Sequence, residues 1–272
     1  TTSPFSLPEM EGTLGSQGFG DFVRLAMDES KGKRGTIFRT MKKIVILTGA
    51  GISAESGLGT FRDTDGIWSK YNMDDVATPE GFARNPQDVH AFYNARRATA
   101  LVARPNAAHR ALARLAREWP GEVIVVTQNV DNLHERAGQP SVVHMHGELS
   151  QALCNLCGFR WPAPAEMSPA TPCPACAALA ARPDVVWFGE APYHMEDINW
   201  HLSNTDLFAA IGTSGQVFPA AGFVMQANAA EATTVELNLE RSDISGAFDQ
   251  VILGKASEVV PMWVDNLLAQ YL

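Results

Sequence analysis

The chain has 272 residues, of which 46% are hydrophobic and 19% are charged, so it can bury the core of one large domain with or without a small one. Its formal net charge of −9 would repel a phosphate backbone, so we expect no nucleic-acid partner. The sequence contains no run near the ~18 apolar residues of a membrane span and no visible secretory signal, so we expect a cytoplasmic protein without a membrane partner.

The first 40 residues differ in composition from the rest of the chain. They are rich in Gly, Ser and Thr and contain a basic cluster at Lys31, Lys33 and Arg34. We therefore expect residues 1–40 to form a poorly ordered N-terminal extension, to which we assign no function. The folded part is expected to begin at Met41, directly before the first strong strand pattern.

Short apolar runs rich in β-branched residues follow one another along the rest of the chain. Runs of this kind, apolar throughout and not alternating, are typical of strands that are buried on both faces. Helical patterns separate them, for example at 90–102 and 105–118, and this alternation predicts an α/β fold with a parallel sheet. The predicted strands are 43–48, 122–127, 141–144, 207–211, 234–238 and 250–253.

A polar or glycine-rich cluster follows directly after each predicted strand. In an open α/β sheet the ligand binds at the carboxyl ends of the strands, so these clusters should converge on one crevice. Their convergence indicates a binding site more strongly than any one of them does. The clusters occupy 49–51, 127–131, 144–147, 212–215, 238–240 and 254–256.

The cluster after the first strand, Gly49-x-Gly51-x-x-Ala54, matches the dinucleotide-binding pattern G-x-G-x-x-G/A. The first glycine would permit a tight turn, and the second would let the backbone approach a pyrophosphate at a helix N-terminus. Residues 55–63 then look like a loop and not like a second strand that ends in a ribose-binding acid. Asn238 or Glu240 could hold the ribose instead, and no arrangement for hydride transfer is visible.

Four cysteines form two pairs, Cys154-x-x-Cys157 and Cys173-x-x-Cys176, with 15 residues between the pairs. This is zinc-ribbon spacing, in which two turns each present two thiolates and complete a tetrahedral shell without an open position. We therefore predict one structural Zn²⁺. The surrounding segment 151–182 is rich in Ala and Pro and has little core of its own, so it should need the metal to fold.

Taken together, these motifs closely resemble those of the sirtuins, the NAD-dependent protein lysine deacylases. The resemblance covers the chain from about residue 42 to the C-terminus, and the motifs appear in the family's order. It is carried by the two cysteine pairs and by the segments 49–57, 60–63, 127–131, 144–147 and 212–214.

The resemblance implies a sirtuin fold for residues 41–272, with a Rossmann-like, doubly wound large domain and a smaller zinc-ribbon and helical domain. NAD and an acyl-lysine peptide or protein would bind in the cleft between them, and we expect a monomer. The large domain would comprise 41–60, 104–150 and 183–272, and the small domain a helical insertion, 61–103, and the zinc-binding insertion, 151–182.

The resemblance also implies which residues hold the two substrates. The loop after the first strand and the segments after the later strands would bind the cofactor, while the stretch 185–189 would pair with the substrate backbone as an added strand. In that stretch the implied residues are Val186, Trp187, Phe188 and Gly189. The implied cofactor-binding residues are Gly49, Ala50, Gly51, Ile52, Ala54, Glu55, Thr60, Phe61, Arg62, Trp68, Gln128, Asn129, Val130, Asp131, Gly212, Thr213, Ser214, Asn238, Leu239, Glu240 and Ala256.

Two histidines are candidates for the catalytic base, His144 and His146. They lie on one face if the segment is extended, so geometry alone leaves both open. The family motif selects His146, since histidine can take a proton from a ribose hydroxyl near neutral pH. In the implied reaction the acyl oxygen attacks the nicotinamide ribose carbon and nicotinamide leaves. His146 then activates the ribose hydroxyl that attacks the resulting imidate, and the products are free lysine, nicotinamide and O-acyl-ADP-ribose. His109 and His134, in helical patterns, are expected on helix surfaces.

Tyr93 and Arg96 lie three residues apart in a predicted helix and therefore share a face. A guanidinium can hold a carboxylate through two hydrogen bonds, and a tyrosine hydroxyl can add a third. From spacing alone a solvated basic face is the more common interpretation, and Arg97 is expected to be solvated. At this place, however, Tyr-x-x-Arg resembles the sirtuins that remove succinyl and malonyl groups, so we predict a dual deacetylase and desuccinylase.

Three other functions are compatible with parts of the pattern. A zinc-ribbon module could bind a protein or nucleic acid without catalysis, although the polar cluster at Gln128, Asn129 and Asp131 exceeds what a binder needs. An NAD-dependent ADP-ribosyltransferase could use the same scaffold. A dehydrogenase is the least favoured, because no acid follows a second strand.

Overall fold

A parallel six-stranded sheet forms the centre of the computed structural model, which describes residues 41–59 and 71–271. A second, three-stranded antiparallel sheet carries the cysteines. The strands in chain order are β1 (Lys43–Thr48), β2 (Glu122–Thr127), β3 (Val142–His144), β4 (Gly147–Cys154), β5 (Arg160–Pro162), β6 (Ala181–Val185), β7 (Leu207–Ile211), β8 (Thr233–Asn238) and β9 (Gln250–Leu253).

The order of strands in the large sheet is β3-β2-β1-β7-β8-β9, and all its pairings are parallel. This is the doubly wound Rossmann order, in which the winding reverses between β1 and β7. The predicted α/β fold with a Rossmann-like sheet is therefore confirmed. In such a sheet the reversal opens a crevice at the carboxyl ends of the two central strands, and this is where a ligand is expected.

Helices cover the large sheet and fill the connections between its strands. No helix within 41–59 and 71–271 is both long enough and apolar enough to span a bilayer. The helices of the described ranges are α1 (Met73–Val76), α2 (Pro79–Arg84), α3 (Pro86–Val102), α4 (Ala107–Glu118), α5 (Leu133–Arg136), α6 (Met195–Ser203), α7 (Phe223–Ala229) and α8 (Ala256–Tyr271).

A hydrophobic cluster lies between the large sheet and helices α6 and α7. Val45 of β1 and Phe208 of β7 are buried there against Ile198 of α6 and Phe223 of α7. The sequence of β1 is apolar at its four central positions, which agrees with the burial of its residues. Strands buried on both faces need such continuous runs, and this is why the six strands of the large sheet could be predicted from sequence, whereas β4, β5 and β6 were not.

Helix starts depend on capping residues, and here the predictions were less accurate. The predicted helix 90–102 begins at Pro86, because the side chain of Asn85 accepts a hydrogen bond from Asp88 N at 3.2 Å and proline suits the first turn. The predicted helix 105–118 begins at Ala107, because the Asn106 side chain accepts from Ala108 N at 2.9 Å.

The backbone of Gly212, after β7, packs against the loop after β1. Gly212 has a φ of +62°, and a Cβ atom there would lie 2.5 Å from Ile52 N and 2.7 Å from the Gly51 carbonyl carbon. Both the backbone conformation and the contact therefore require glycine at this position.

We expect Gly212→Ala to lower the free energy of unfolding by about 2 kcal/mol, since the added methyl group meets backbone that cannot rotate away. Chemical denaturation would measure the change. Gly222→Ala is the matched control, because a Cβ at Gly222 meets nothing within 4 Å and its φ of −85° suits alanine. Equal stability of the two variants would contradict the contact.

Candidate active site

A cavity of about 880 Å³ lies at the carboxyl ends of β1 and β7, where the winding of the sheet reverses. Ile52 is buried and does not line it, and Thr60, Phe61, Arg62 and Trp68 lie outside the described residues. The other predicted substrate and cofactor residues line it: Gly49, Ala50, Gly51, Ala54, Glu55, Tyr93, Arg96, Gln128, Asn129, Val130, Asp131, His146, Val186, Trp187, Phe188, Gly189, Gly212, Thr213, Ser214, Asn238, Leu239, Glu240 and Ala256.

The glycine loop after β1 is held by backbone contacts with the loop after β7. Gly49 N donates to Ile211 O, and Gly51 N donates to Gly212 O, both at 2.9 Å. A Cβ on Gly49 would lie 2.7 Å from Gly212 O, and one on Gly51 would lie 2.7 Å from Gly212 Cα. The two glycines of the pattern therefore permit close approach of two loops, a role that the pattern alone did not indicate.

The residues after β2 form a polar network with the glycine loop. The Asn129 side chain donates to Gly49 O at 3.1 Å and to Ser53 Oγ at 3.2 Å. Ser53 Oγ donates in turn to Asp131 Oδ2 at 3.1 Å, and Leu133 N donates to Asp131 Oδ1 at 3.0 Å. Burial raises the pKa of Asp131, although these hydrogen bonds act in the opposite direction. The network fixes the orientation of Asn129 and Asp131 at the cavity wall.

His146 faces the cavity with one ring nitrogen already bonded. Its Nδ1 lies 3.1 Å from the carbonyl oxygen of Gln128. A carbonyl can only accept, so the proton of the neutral ring lies on Nδ1 and the lone pair lies on Nε2. Burial lowers the pKa of His146 below 6.5, and the Gln128 carbonyl only partly opposes this. The ring is therefore neutral at pH 7 and can accept a proton at Nε2.

His144 has a different environment, which separates the two candidates that geometry left open. Its Nε2 lies 2.7 Å from Glu135 Oε1, and its Nδ1 lies 3.2 Å from Asn129 O. Burial by itself lowers the pKa of His144, but the hydrogen bond and charge of Glu135 outweigh it, and the net effect raises the pKa. Both ring nitrogens thus face acceptors, and His144 does not line the cavity.

His109 and His134 are buried, so the prediction that they lie on helix surfaces was wrong. Their side chains are 0% and 1% exposed, and their ring centroids are 4.9 Å apart. His134 Nε2 lies 3.0 Å from Thr48 Oγ1, and His109 Nε2 lies 3.4 Å from Ser53 Oγ. Burial lowers the pKa of His109 to about 4 and that of His134 to about 3, so both are neutral and can be buried as hydrogen-bonding groups.

Tyr93 and Arg96 of α3 both lie at the cavity wall. The Tyr93 hydroxyl accepts a hydrogen bond from Trp187 Nε1 at 2.9 Å. The Arg96 guanidinium carbon lies 5.7 Å from the centroid of the Tyr93 ring. Burial lowers the pKa of Arg96, while the nearby Tyr93 and Asp131 act against this. A cation and a hydroxyl thus lie side by side in a wall that is otherwise largely apolar.

Arg97 is buried, so the prediction that it is solvated was wrong. Its side chain is 5% exposed. The guanidinium donates to Leu149 O at 2.8 Å, to Asn94 Oδ1 at 2.9 Å and to Ala165 O at 3.3 Å. These acceptors connect α3 to β4 and to the segment after β5, so Arg97 joins the helical insertion to the cysteine-bearing sheet.

The stretch 185–189 is not a continuous strand, because β6 ends at Val185. The main chain bonds instead within the protein: Val186 N donates to His146 O and Phe188 N to Ala77 O, both at 2.9 Å. Trp187 N donates to Glu190 Oε2 at 2.8 Å. The predicted pairing with a substrate backbone therefore depends on the carbonyl groups of the stretch and on Gly189.

The carboxylate of Glu55 binds the N-terminal end of helix α8. Its two oxygens accept from Ser257 N at 2.9 Å and from Ser257 Oγ at 2.7 Å, at the first turn of α8. A negative charge at this end of a helix is favourable. The prediction placed Glu55 at the cofactor; it lines the cavity, and its carboxylate holds the glycine loop against α8.

The four cysteine sulfurs fit a tetrahedral metal. The Sγ atoms of Cys154 and Cys176, and those of Cys157 and Cys173, are 3.7 Å apart, and all four sulfurs lie within 4.8 Å of one another. Zn–S bonds of about 2.3 Å in a tetrahedron place the sulfurs about 3.8 Å apart. The apolar cluster beside them is small, with Ala152, Met167 and Ala181 as its buried members.

Some lining residues were missed from sequence. Ser53 occupies a variable position of the glycine pattern, yet its hydroxyl is the centre of the polar network. Lys255 lies in the predicted cluster 254–256, but only Ala256 of that cluster was predicted to bind the cofactor. Phe218 lines the cavity while 76% exposed, and nothing in its surroundings in the sequence indicated a site.

Comparison with known proteins gives a consistent result. The sequence profile of the Sir2 family matches residues 49–219. An NAD-dependent protein deacylase of Caulobacter vibrioides is 56% identical over 85% of this chain and 99% of its own length, and one of Leishmania major is 53% identical over 84% and 97%. The solved structure of a Sir2 homologue in complex with NAD has a TM-score of 0.79 and 35% identity, covering 85% of this chain and 91% of that one.

We expect removal of zinc by a strong chelator to unfold the cysteine-bearing sheet, because its apolar cluster is too small to hold it. Limited proteolysis would then cleave within residues 151–182, and elemental analysis would confirm the loss of metal. A metal-free protein that kept its protease resistance and its activity would contradict this.

Proposed function

The chain belongs to the Sir2 family, and from this membership we propose that it is an NAD-dependent deacylase that removes acyl groups from protein lysines. Two relatives, 53% and 56% identical to this chain, are named NAD-dependent protein deacylases, and the match covers nearly the whole length of each. No observation favours the ADP-ribosyltransferase, the dehydrogenase or the zinc-ribbon binding module.

The position of His146 carries the proposal. A neutral imidazole with its lone pair on Nε2 lies in the same cavity as the glycine loop and the Asn129–Asp131 network. When bound, NAD supplies an activated ribose carbon with nicotinamide as the leaving group, so that the acyl group passes to ADP-ribose. In this proposal His146 takes the proton of a ribose hydroxyl, and the carbonyl of Gln128 keeps Nδ1 protonated throughout.

The cofactor roles of the predicted lining residues belong to the same proposal. The geometry supports them most directly after β2 and β7, where the Gln128 side chain donates to Thr213 Oγ1 at 3.0 Å across the cavity floor. Asn238 donates to Thr213 O at 2.8 Å and so joins the loops after β7 and β8. The roles of Thr60, Phe61, Arg62 and Trp68 stay predictions from the resemblance.

We further propose that residues 41–272 form the catalytic domain, divided into large and small parts as predicted from sequence. The presence of two sheets supports this, although the small sheet begins at Gly147, before the predicted boundary at 151. The protein is proposed to work as a monomer in the cytoplasm, where a reducing environment keeps the four cysteines from forming disulfides and leaves them available to bind zinc. The lack of a nucleic-acid partner stays a prediction from charge.

Acyl selectivity is the finer part of the proposal. Arg96 and Tyr93 lie together in the wall of the cavity, and a guanidinium beside a hydroxyl suits a carboxylate at the end of an acyl chain. We propose that the enzyme removes succinyl and malonyl groups as well as acetyl groups.

We expect His146→Tyr to abolish the formation of deacylated peptide and O-acyl-ADP-ribose from NAD and an acyl-lysine peptide, because no base then accepts the ribose proton. Mass spectrometry would identify O-acyl-ADP-ribose as the wild-type product, and thermal melting would confirm that the variant folds. His201→Tyr, in α6, is the matched control with wild-type turnover expected. Near-normal turnover of a folded His146→Tyr protein would refute the assignment.

We expect Arg96→Met to weaken turnover of succinyl-lysine peptide far more than that of acetyl-lysine peptide. The loss of a charge-assisted contact should cost about 1.5–3 kcal/mol on the succinyl substrate alone. Matched measurements of kcat/KM on the two peptides would show it, and Arg110→Met, an exposed arginine of α4, is the control. Equal losses on both substrates would argue against recognition of the acyl carboxylate.

A further inference from the structure

The hydrogen bond between Trp187 and Tyr93 determines how the Tyr93 hydroxyl can act. Trp187 Nε1 donates to the Tyr93 oxygen at 2.9 Å, and both side chains are almost fully buried, at 2% and 3% exposure. An indole nitrogen can donate but cannot accept. The bond therefore occupies a lone pair of the hydroxyl and leaves its proton free to be donated elsewhere.

The free proton of Tyr93 can be reached by a molecule bound in the cavity, which Tyr93 lines. Within residues 41–59 and 71–271, no group accepts a hydrogen bond from Tyr93. Tyr93 lines the cavity together with Arg96, and Arg96 can only donate. Among the described residues, therefore, none takes this proton, and a molecule bound in the cavity can supply the acceptor. A carboxylate that binds Arg96 would bring such an acceptor beside the hydroxyl.

Trp187 is held firmly enough to set the direction of the Tyr93 hydroxyl. The Arg182 guanidinium carbon lies 3.5 Å from the centroid of a Trp187 ring, and the Phe82 ring centroid is 5.1 Å away. Trp187 N donates to Glu190 Oε2, and Glu190 forms two hydrogen bonds with Arg182, at 2.7 and 2.8 Å. The indole is thus fixed through both its ring and its main chain.

We propose that Trp187 is a positioning residue for acyl selectivity, whose indole N–H turns the Tyr93 hydroxyl so that its proton meets the acyl carboxylate beside Arg96. This rests on the proposed recognition of acidic acyl groups by Tyr93 and Arg96. The role differs from the main-chain contact with a substrate peptide predicted for the stretch 185–189, because it belongs to the indole nitrogen.

The test removes the N–H while keeping an aromatic ring. In Trp187→Phe the ratio of kcat/KM on succinyl-lysine peptide to that on acetyl-lysine peptide should fall about 3- to 10-fold, the value of one hydrogen bond. The fall should come mainly from a raised KM for the succinyl peptide, because the contact lies away from the reacting carbon and is made equally in the ground and transition states. Trp200→Phe, at the opposite end of the sheet, is the matched control and should leave the ratio unchanged.

A double-mutant cycle with Tyr93→Phe shows whether Trp187 acts through the hydroxyl. If it does, Trp187→Phe should have no further effect on the ratio once the hydroxyl is gone. Incorporation of 3-benzothienylalanine at position 187, which keeps the shape of the indole and lacks its N–H, should reproduce the fall and serves if Trp187→Phe does not fold.

Two results would overturn the inference, and they are distinguishable. If Tyr93→Phe lowers the ratio but neither replacement at position 187 does, Trp187 has no positioning role and the proposed acyl recognition stands. If Tyr93→Phe and Arg96→Met both leave the ratio unchanged, the proposed recognition of the carboxylate fails and the role of Trp187 fails with it.

Discussion

The close approach of two loop backbones across the reversal of the sheet is the constraint on which the cleft depends. Gly51 N donates to Gly212 O at 2.9 Å, and neither residue has room for a side chain. This contact aligns the ends of β1 and β7, so that Gln128 from the neighbouring strand reaches Thr213 at 3.0 Å. The floor of the cavity is therefore anchored by a backbone contact, and the side chains proposed to recognise the acyl group, Tyr93 and Arg96, lie in its wall.

The parts of the fold that could be predicted from sequence are those whose cause is local. The run at Lys43–Thr48 is buried at every position, and continuous apolar runs of this length have few alternatives to a buried strand. The spacing of the cysteines also predicts a tetrahedral zinc site directly, since such a site needs little more than four sulfur ligands. The clusters after the strands were located for the same reason: chain order fixes which end of a parallel strand they occupy.

What could not be predicted depends on partners distant in the sequence. Arg97 can be buried because Leu149 O accepts a hydrogen bond from it. His134 can be buried because Thr48 Oγ1 lies 3.0 Å from its Nε2. Hydrophobic periodicity identifies an apolar face, but it cannot show that a polar side chain on that face has found a partner. The two candidate bases were left open for the same reason, because only the structure pairs His144 with Glu135 and leaves the Nε2 of His146 facing the cavity.

The hydrogen bonds between Glu55 and Ser257 have a consequence for the order of folding. They join residues 202 positions apart, and closing so long a loop costs conformational entropy. Contacts of such high sequence separation form after local structure is in place. The glycine loop should therefore reach its final position only when α8, the last helix of the chain, docks, and binding competence would appear late, as one of the final events of folding.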